Sequence, residues 1–402
     1  MAAKFRFQHP EHALESLVEK LAPVVQKERT SESTGRVLAS PVTADRDSPA
    51  ADVSAMDGYA IRMSELQTDQ PVSIEGESSP GAPPPTFQPG KAVRIFTGAI
   101  VPFGAEAVIK REDTIESGSE IQFLDAALKN QLGQHIRRAG ENALAGSDVV
   151  EAGTLLNAAH QATLANFGCS AADVYHRVRV AVLTTGDEVG IPEGESPQPW
   201  QLRNSNRASI AALLNTFPWI RVCKVSHAVD QREILKNEIQ QCLTSSDALL
   251  LTGGVSMGDY DYVPEVIREV GGEILFHGLP IRPGKPILGA ATADGKLILG
   301  LPGNPVSATV GCRRMALPLL AKISGQQVWN RPRSVVRLSN PSDKTIPLHW
   351  MKLVRLTEPG IAEVVSSQGS GDLVALGRSD GFVELPPDQT GEGPWPYFSW
   401  SD

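Results

Sequence analysis

The chain of 402 residues lacks the patterns that assign a protein quickly to a metal-binding, secreted or membrane class. Its four cysteines are widely separated and form no CxxC pair, so neither a zinc site nor a disulfide framework is indicated. Its eight histidines form no HxH or HExxH pattern, and we interpret them as surface or core residues. The N-terminus lacks the apolar core of a signal peptide, and no apolar run reaches the ~18 residues of a membrane span. These absences predict a cytoplasmic protein with reduced thiols and no membrane partner.

An excess of basic charge is also absent. The net charge is −9, so the chain has no global basic surface for nucleic acid or an anionic membrane. An anion would have to be bound by a local cluster of cations. The hydrophobic fraction of 41% and the charged fraction of 21% are ordinary for a soluble globular protein. At roughly 100–200 residues per domain, the length predicts about two to four domains.

The predicted elements change in kind along the chain. Apolar residues at helical spacing after Pro10 predict a helix, and residues 71–125 predict a small unit of short strands. Between residues 178 and 325, apolar strands alternate with helical patterns, which favours a parallel sheet covered by helices on both faces. Beyond about residue 325, short strand candidates predict a small β domain. The expected fold is a multidomain α/β plus β protein with a doubly wound central α/β domain.

Three glycine-bearing loops follow strands of this α/β region. Open α/β sheets bind ligands at the carboxyl ends of their strands, and glycine lets backbone N–H groups approach an anion closely. Neither a P-loop nor a GxGxxG motif occurs. One such loop alone is explained as a plain turn, but three on one sheet edge favour a phosphate or nucleotide site. The loops are TTGDEVG (184–190), TGGVSMGDYD (252–261) and LPGNPVSA (301–308).

Two of these loops also contain carboxylates, namely Asp187, Glu188, Asp259 and Asp261. If they meet at the sheet edge, Mg²⁺ could join them to phosphates, because hard cations prefer oxygen ligands. The alternative is that these acids are solvated or cap helices. Asp230 has a structural explanation of that kind, because it begins a run with the form of a helix-capping box.

Two further segments could bind ligands. IRPGKP (281–286) holds Arg282 and Lys285 around a stiff turn, which suits an oxyanion, and the alternative is an ordinary basic surface turn. SAMDGYAIR (54–62) places apolar residues around Asp57 in a segment that otherwise resembles a surface loop. The alternative there is a packed turn in which Asp57 acts as a cap. The spacing alone does not decide between these interpretations.

Together these segments resemble the molybdopterin molybdotransferase family, of the MoeA and gephyrin E-domain type. The resemblance runs from about residue 35 to residue 310 and continues weakly through residues 369–386. Because the segments occur in the family's order, they are more specific than any single glycine loop. They are SAMDGYAIR, IFTGAIVPFGAEAVI, IRRAGEN, VLTTGDEV, LTGGVSMGDYDYV, IRPGKP and LPGNPVSA.

The resemblance implies an enzyme that inserts molybdate into adenylylated molybdopterin and releases AMP. It implies Mg²⁺ and a homodimer whose site is shared between subunits. It further implies four regions: an elongated one from residues 1–44 and 144–177, an inserted β-rich domain over residues 45–143, a MogA-like α/β domain over residues 178–325, and a C-terminal β-barrel over residues 326–402.

The family motifs also imply site residues. They fall on Asp57, Thr97, Glu188, Asp230, Asp261, Arg282, Lys285, Pro302 and Pro305. We assign catalysis to the acids among these and Mg²⁺ binding to Glu188 and Asp261. The Thr97 hydroxyl is expected to donate to an oxyanion, and Arg282 and Lys285 to bind molybdate or phosphate. The other expected substrate contacts are Arg137, Asn142, Thr185, Gly186, Asp187, Gly253, Gly254, Ser256 and Asp259.

Two positions depart from the family pattern. Asn142 stands where the family commonly has aspartate, so it keeps an acceptor but cannot act as a base. Gly278 stands where the family often has lysine, and Arg137 or Arg138 would have to replace the lost cation. These departures support an alternative, a molybdopterin-binding or scaffold protein without turnover. Adenylylation of molybdopterin is a second alternative, but that activity needs only one domain of this kind.

Overall fold

The computed structural model describes residues 5–68, 70–191, 194–256 and 261–401. The chain forms two compact units. The larger unit contains the described residues of 1–40, 152–161 and 171–402, and the smaller unit contains those of 41–151 and 162–170. The finer division into four regions stays a prediction.

A six-stranded sheet forms the centre of the larger unit, and its strands lie in the order β2-β1-β3-β6-β5-β4. The strands β2, β1, β3 and β6 are parallel, whereas β5 and β4 run antiparallel to their neighbours. The sheet is therefore mixed, because a hairpin turn at Asp294-Gly295 joins β5 to β6 and reverses the chain. The strands are β1 (Val178–Thr185), β2 (Ile220–Ala228), β3 (Ala248–Thr252), β4 (Gly272–His277), β5 (Leu288–Thr292) and β6 (Leu297–Leu301).

Helices cover both faces of this sheet, as predicted. Leu250 of β3 packs in one core with the helix Ser205–Asn215, whereas its neighbours Leu249 and Leu251 pack in another core with the helix Arg232–Ser245. Since successive strand residues point to opposite faces, a sheet covered twice needs an unbroken apolar run. The other helices are Pro10–Val18, Ala158–Asn166, Val263–Glu269, Pro305–Gly311, Leu317–Ile323 and Leu373–Gly377, with a π-helical turn at Cys312–Ala316. Within the described ranges, no helix has the length and apolar character needed to cross a bilayer.

The C-terminal strands close into a five-stranded barrel. The short strand Ile281–Arg282 pairs with the barrel strand His349–Glu358, so the cationic turn of residues 281–286 begins at the barrel wall. The strand Trp395–Ser399 was not predicted. The barrel strands are Val335–Leu338, His349–Glu358, Ile361–Val364, Gly381–Leu385 and Trp395–Ser399.

The smaller unit contains the predicted β-rich segment as a six-stranded sheet. Its strands are, in spatial order, Ala107–Lys110, Gly58–Ile61, Lys91–Ile95, Val72–Ser78, Glu120–Phe123 and Thr114–Ser117. Two strand pairs accompany it, Val53–Ser54 with Ile136–Arg137 and Val42–Thr43 with Asp148–Val150. In the larger unit, Lys27–Thr30 pairs with Ala172–Tyr175. The 3-10 helices are Met63–Gln67, Arg111–Asp113, Ala127–Lys129 and Asp187–Val189.

Candidate active site

The three glycine loops meet at the carboxyl edge of the central sheet. A Cβ atom added to Gly253 would lie 2.6 Å from Thr185 Oγ1, and one added to Gly303 would lie 3.7 Å from Gly253 Cα. The Gly253 N–H donates to the carbonyl of Leu301 at 3.3 Å. Gly253 has a φ of +90°, so this close approach requires glycine. The loops after β1, β3 and β6 therefore form one surface, as the sequence predicts.

Asn206 holds two of these loops together. Its Nδ2 donates to the Gly303 carbonyl at 2.6 Å and to Thr252 Oγ1 at 3.4 Å. Its Oδ1 is buried and has no partner within the described part of the chain. A buried acceptor without a donor is costly, so this oxygen suits an N–H or O–H group of a ligand. Asn206 could not be predicted from the sequence, because a single asparagine in a helical pattern gives no signal.

Three carboxylates gather around the loop after β1. The Asp230 N–H donates to Asp187 Oδ1 at 3.1 Å. Burial raises the pKa of Asp230, and the nearby negative charges of Asp187 and Glu188 raise it further. The predicted capping box is wrong, because the helix Arg232–Ser245 begins after Gln231, whose side chain makes no capping hydrogen bond. Asp230 belongs instead to this acidic group.

The second acidic loop is only partly described. Asp259, an expected substrate contact, lies outside the described residues together with residues 257, 258 and 260. Asp261 is half-buried and Ser256 is exposed. Within residues 5–68, 70–191, 194–256 and 261–401, no group of three His, Cys, Asp or Glu side chains is placed to hold a metal ion. The pairing of Glu188 with Asp261 around Mg²⁺ stays a prediction.

The cationic turn presents two exposed positive charges. The Arg282 guanidinium lies 5.8 Å from the ring centroid of Trp350, and Lys285 Nζ lies 5.5 Å from that of Phe5.

Two further expected substrate contacts lie at the start of the loop after β1. Gly186 has a φ of +126°, and Thr185 Oγ1 donates to the Thr252 carbonyl at 3.3 Å.

Arg282 also lines a cavity of about 490 Å³ against the barrel. Lys352, on the same wall, is only 6% exposed, and its Nζ lies 4.0 Å from the Trp350 ring centroid. Burial lowers the pKa of Lys352, and no described carboxylate forms an ion pair with it. Asn304, next to Pro305, connects the third glycine loop to this wall by donating to Ser370 Oγ at 2.9 Å. We call the surface formed by Arg282, Trp350, Lys352, Ser366, Ser367 and Ser370 the oxyanion cavity.

The smaller unit brings Asp57 and Thr97 together. The Thr97 N–H and O–H both donate to Asp57 Oδ1 at 2.7 Å. These hydrogen bonds hold the pKa of Asp57 below its ordinary value. The hydroxyl proton of Thr97, which was expected to bind an oxyanion, is thus donated to Asp57 in this structure. The Asp57 carboxylate is exposed and is held in one orientation by these two hydrogen bonds. Tyr59 and Ile61 are buried in a strand and do not lie in a surface loop.

Comparison with known proteins identifies the family. The model of the MoeA N-terminal region (domain I and II) matches residues 9–168, and the model of a probable molybdopterin binding domain matches residues 181–322. A curated molybdopterin molybdenumtransferase of Haemophilus influenzae is 33% identical over 392 residues, which cover 94% of this chain and 94% of that protein. One from Nostoc is 32% identical over 397 residues, which cover 93% of this chain and 89% of that protein.

The chain belongs to the molybdopterin molybdenumtransferase family. A crystal structure of the molybdopterin biosynthesis MoeA protein from Pyrococcus horikoshii OT3 aligns with a TM-score of 0.80 at 25% identity, covering 98% of this chain and 100% of that one. The resemblance and the fold class inferred from the sequence are thereby confirmed.

The structure also shows how this molybdenumtransferase family member accommodates its two departures. Arg137 donates from Nη2 to Asn142 Oδ1 at 2.8 Å and from Nε to Glu141 Oε1 at 2.5 Å. Arg137 is therefore held by its neighbours and does not present a free cation. Gly278 has a φ of +93°, which L side chains rarely adopt, so a lysine there would need a different backbone.

The remaining motif residues shape the loops. Pro302 is buried, and Pro305 begins the helix Pro305–Gly311. Lys352 is, after Asn206, a second functional candidate that the sequence did not reveal in this molybdenumtransferase family member. It lies in the segment MKLVRL, where only a strand was predicted, and the burial of its ammonium group depends on the closed barrel.

Proposed function

We propose that the chain is a molybdopterin molybdenumtransferase that inserts molybdate into adenylylated molybdopterin and releases AMP, as a step of molybdenum cofactor biosynthesis. The names of its relatives support the activity. The observation that carries the proposal is the buried residue Lys352, which lies in a cavity with Arg282 and forms no ion pair with any carboxylate among the described residues. The predicted cytoplasmic location stays a prediction.

The oxyanion cavity suits molybdate. A buried charge without a partner is costly, so Lys352 gains most from an anion that enters the cavity. Arg282 adds a second cation, and the serine hydroxyl groups at residues 366 and 370 can donate to further oxygens. A tetrahedral dianion matches this combination of charges and donors.

The three-loop surface suits the adenylylated substrate. Glycine at positions 253 and 254 leaves the backbone without side chains, so a phosphoanhydride can approach it closely. Asn206 Oδ1 supplies an acceptor for a donor group of the substrate. The link from Asn304 to Ser370 connects this surface to the oxyanion cavity, so molybdate and the pterin can be held near each other.

Magnesium would bind beside the acidic group of Asp187, Glu188 and Asp230, which contributes Glu188 as a ligand. Their oxygens are hard ligands. Burial raises the pKa of Asp230 most and the charges of Asp187 and Glu188 raise it further, so a nearby cation would stabilise the charged carboxylates. Mg²⁺ usually keeps waters and binds only one or two carboxylates beside substrate phosphates, so a preformed cluster of three ligands is not required. When bound, it would neutralise charge on the phosphoanhydride. Glu188 and Asp261 remain the proposed metal ligands.

We further propose a homodimer with a shared site, as the resemblance implies. The exposed, oriented carboxylate of Asp57 supports a role for the smaller unit. Co-expression of Asp57→Ala with Glu188→Gln tests this arrangement. If each site takes one residue from each subunit, a random mixture regains about a quarter of wild-type activity. No recovery above the single variants contradicts the shared site.

A binding protein without turnover is the alternative, and Asn142 is its support. The purified protein is incubated with adenylylated molybdopterin, Mg²⁺ and molybdate, and AMP is measured. AMP release at many turnovers per site supports the enzyme. Tight binding of the substrate without AMP release favours the alternative.

A further inference from the structure

Trp200 and Leu202 are unusually exposed for their residue types. The exposed fractions are 73% for Trp200 and 59% for Leu202. Tryptophan is usually highly buried, and its indole provides a large apolar surface. Neither residue belongs to a motif that the sequence analysis selected.

The position of this segment is fixed beside the acidic group. The Leu202 N–H donates to the carbonyl of Glu188 at 2.7 Å. Two residues of extended chain span at most ~7 Å, so the Trp200 backbone lies within about 10 Å of the Glu188 carbonyl. Trp200 is therefore at the carboxyl edge of the central sheet, where the proposed substrate binds.

The segment is also anchored on both sides of Trp200. The Gln201 N–H donates to the Gln198 carbonyl at 2.9 Å, and the Gln198 N–H donates to Gln201 Oε1 at 3.1 Å. Further along, Asn204 Nδ2 donates to Thr184 Oγ1 at 2.7 Å. Asn204 Oδ1 accepts from the Arg207 N–H at 3.0 Å and caps the next helix. Trp200 thus lies in a turn that hydrogen bonds hold at the sheet edge.

We infer that Trp200 stacks on a planar ring of the adenylylated substrate, an inference that rests on the proposed function. That substrate carries two flat nitrogen heterocycles, adenine and pterin, joined through the phosphoanhydride that the acidic group would face. Both rings offer a π-face to the indole, and stacking of this kind tolerates different rings. Ring binding would cover the apolar surface that is now exposed.

The test compares Trp200→Ala with Trp200→Phe in full-length protein. Loss of one stacked ring weakens binding by about 5- to 150-fold. We therefore expect Trp200→Ala to raise KM for adenylylated molybdopterin by that factor, with kcat at saturation little changed. Trp200→Phe should keep KM within a few-fold of wild type, because phenylalanine also stacks. Val25→Ala, which alters a side chain that is 76% exposed, is the control for removing exposed apolar surface.

Competition identifies the ring. If Trp200→Ala weakens inhibition by AMP, the ring is adenine, and if it weakens inhibition by molybdopterin without the adenylyl group, the ring is the pterin. Either result supports the inference. An unchanged KM and unchanged inhibition by both compounds, in variants whose melting temperature matches wild type, would overturn it. Absence of AMP release by the wild-type protein would instead count against the proposed function.

Discussion

Replacement of Lys352 by methionine should lower activity and leave the fold at least as stable. Methionine preserves most of the side-chain volume and removes the charge. Loss of one partner from a buried, hydrogen-bonded charge pair costs about 2–5 kcal/mol, which is about a 30- to 5,000-fold rise in KM for molybdate. The rise should be specific for molybdate, because Lys352 lies in the oxyanion cavity and outside the three-loop surface.

Stability should change in the opposite direction. The Lys352 residue is 6% exposed and has no carboxylate partner in the described part of the chain. Its contact with Trp350, at 4.0 Å, offsets part of the burial cost by about 2 kcal/mol at most. We therefore expect Lys352→Met to range from neutral to about 2 kcal/mol more stable without molybdate. Equilibrium urea unfolding measures this difference.

The effect on stability should depend on pH in one direction. Burial lowers the pKa of Lys352 in the folded protein, so folding favours the neutral amine. Burial of the Lys352 charge therefore lowers the stability of the wild type by its full amount below the lowered folded pKa. This loss of stability disappears as pH rises through the unfolded value near 10.5. The advantage of Lys352→Met should disappear over the same range.

Arg355→Met is the matched control, since Arg355 lies on the same strand but pairs with Glu363 at 2.5 Å on the exposed side. It should change KM for molybdate little and stability by less than about 1 kcal/mol. The reasoning is refuted if Lys352→Met leaves KM for molybdate unchanged, or if it destabilises the protein by more than the control.

Three further predictions concern the sheet edge and the smaller unit. Asp230→Asn should stabilise the protein at pH 7 without Mg²⁺, because the raised pKa means that the charged carboxylate opposes folding. Thermal melts should show that this gain shrinks as pH falls through the raised folded pKa and is absent below the unfolded value of 3.8, and a loss of stability at pH 7 would contradict the prediction. Gly253→Ala should lower the free energy of unfolding by about 1–3 kcal/mol and strongly reduce AMP release. The reason is that Gly253 has a φ of +90° and that a Cβ there would lie 2.6 Å from Thr185 Oγ1. Gly377→Ala is the control and should be tolerated, because a Cβ there would have no atom within 4 Å. Asn142→Asp should raise the free energy of unfolding by about 0.2–1 kcal/mol, because the new carboxylate would pair with Arg137, whose Nη2 lies 2.8 Å from Asn142 Oδ1. Faster AMP release by this variant would show that asparagine at this position lowers the activity.

The position of the glycine loops could be predicted because local patterns determine it. Apolar runs such as Ala248–Thr252 mark strands that are buried on both faces, and the turn residues Asp294-Gly295 mark the hairpin. The mixed direction of the sheet also follows from that hairpin, but it becomes visible only when β5 and β6 are paired. A pattern that describes each strand separately does not give its direction in the sheet.

The errors and omissions arise from long-range contacts. The capping-box pattern at Asp230 is local, and it failed because burial beside Asp187 and Glu188 is a tertiary effect. Lys352 alternates normally in its strand, and its burial results from closure of the barrel around Trp350. The sequence also does not show that the N–H and O–H of Thr97 both donate to Asp57, and the predicted contact of Thr97 with a ligand stays a prediction.

The most direct test of the central claim is the stoichiometry of AMP release. Purified protein is mixed with adenylylated molybdopterin and Mg²⁺, with and without molybdate, and AMP and pterin-bound molybdenum are measured together. The account predicts that molybdate stimulates AMP release, with one molybdenum inserted for each AMP, and that Lys352→Met needs more molybdate to reach the same rate. AMP release that ignores molybdate, or tight binding with no AMP released, would contradict it.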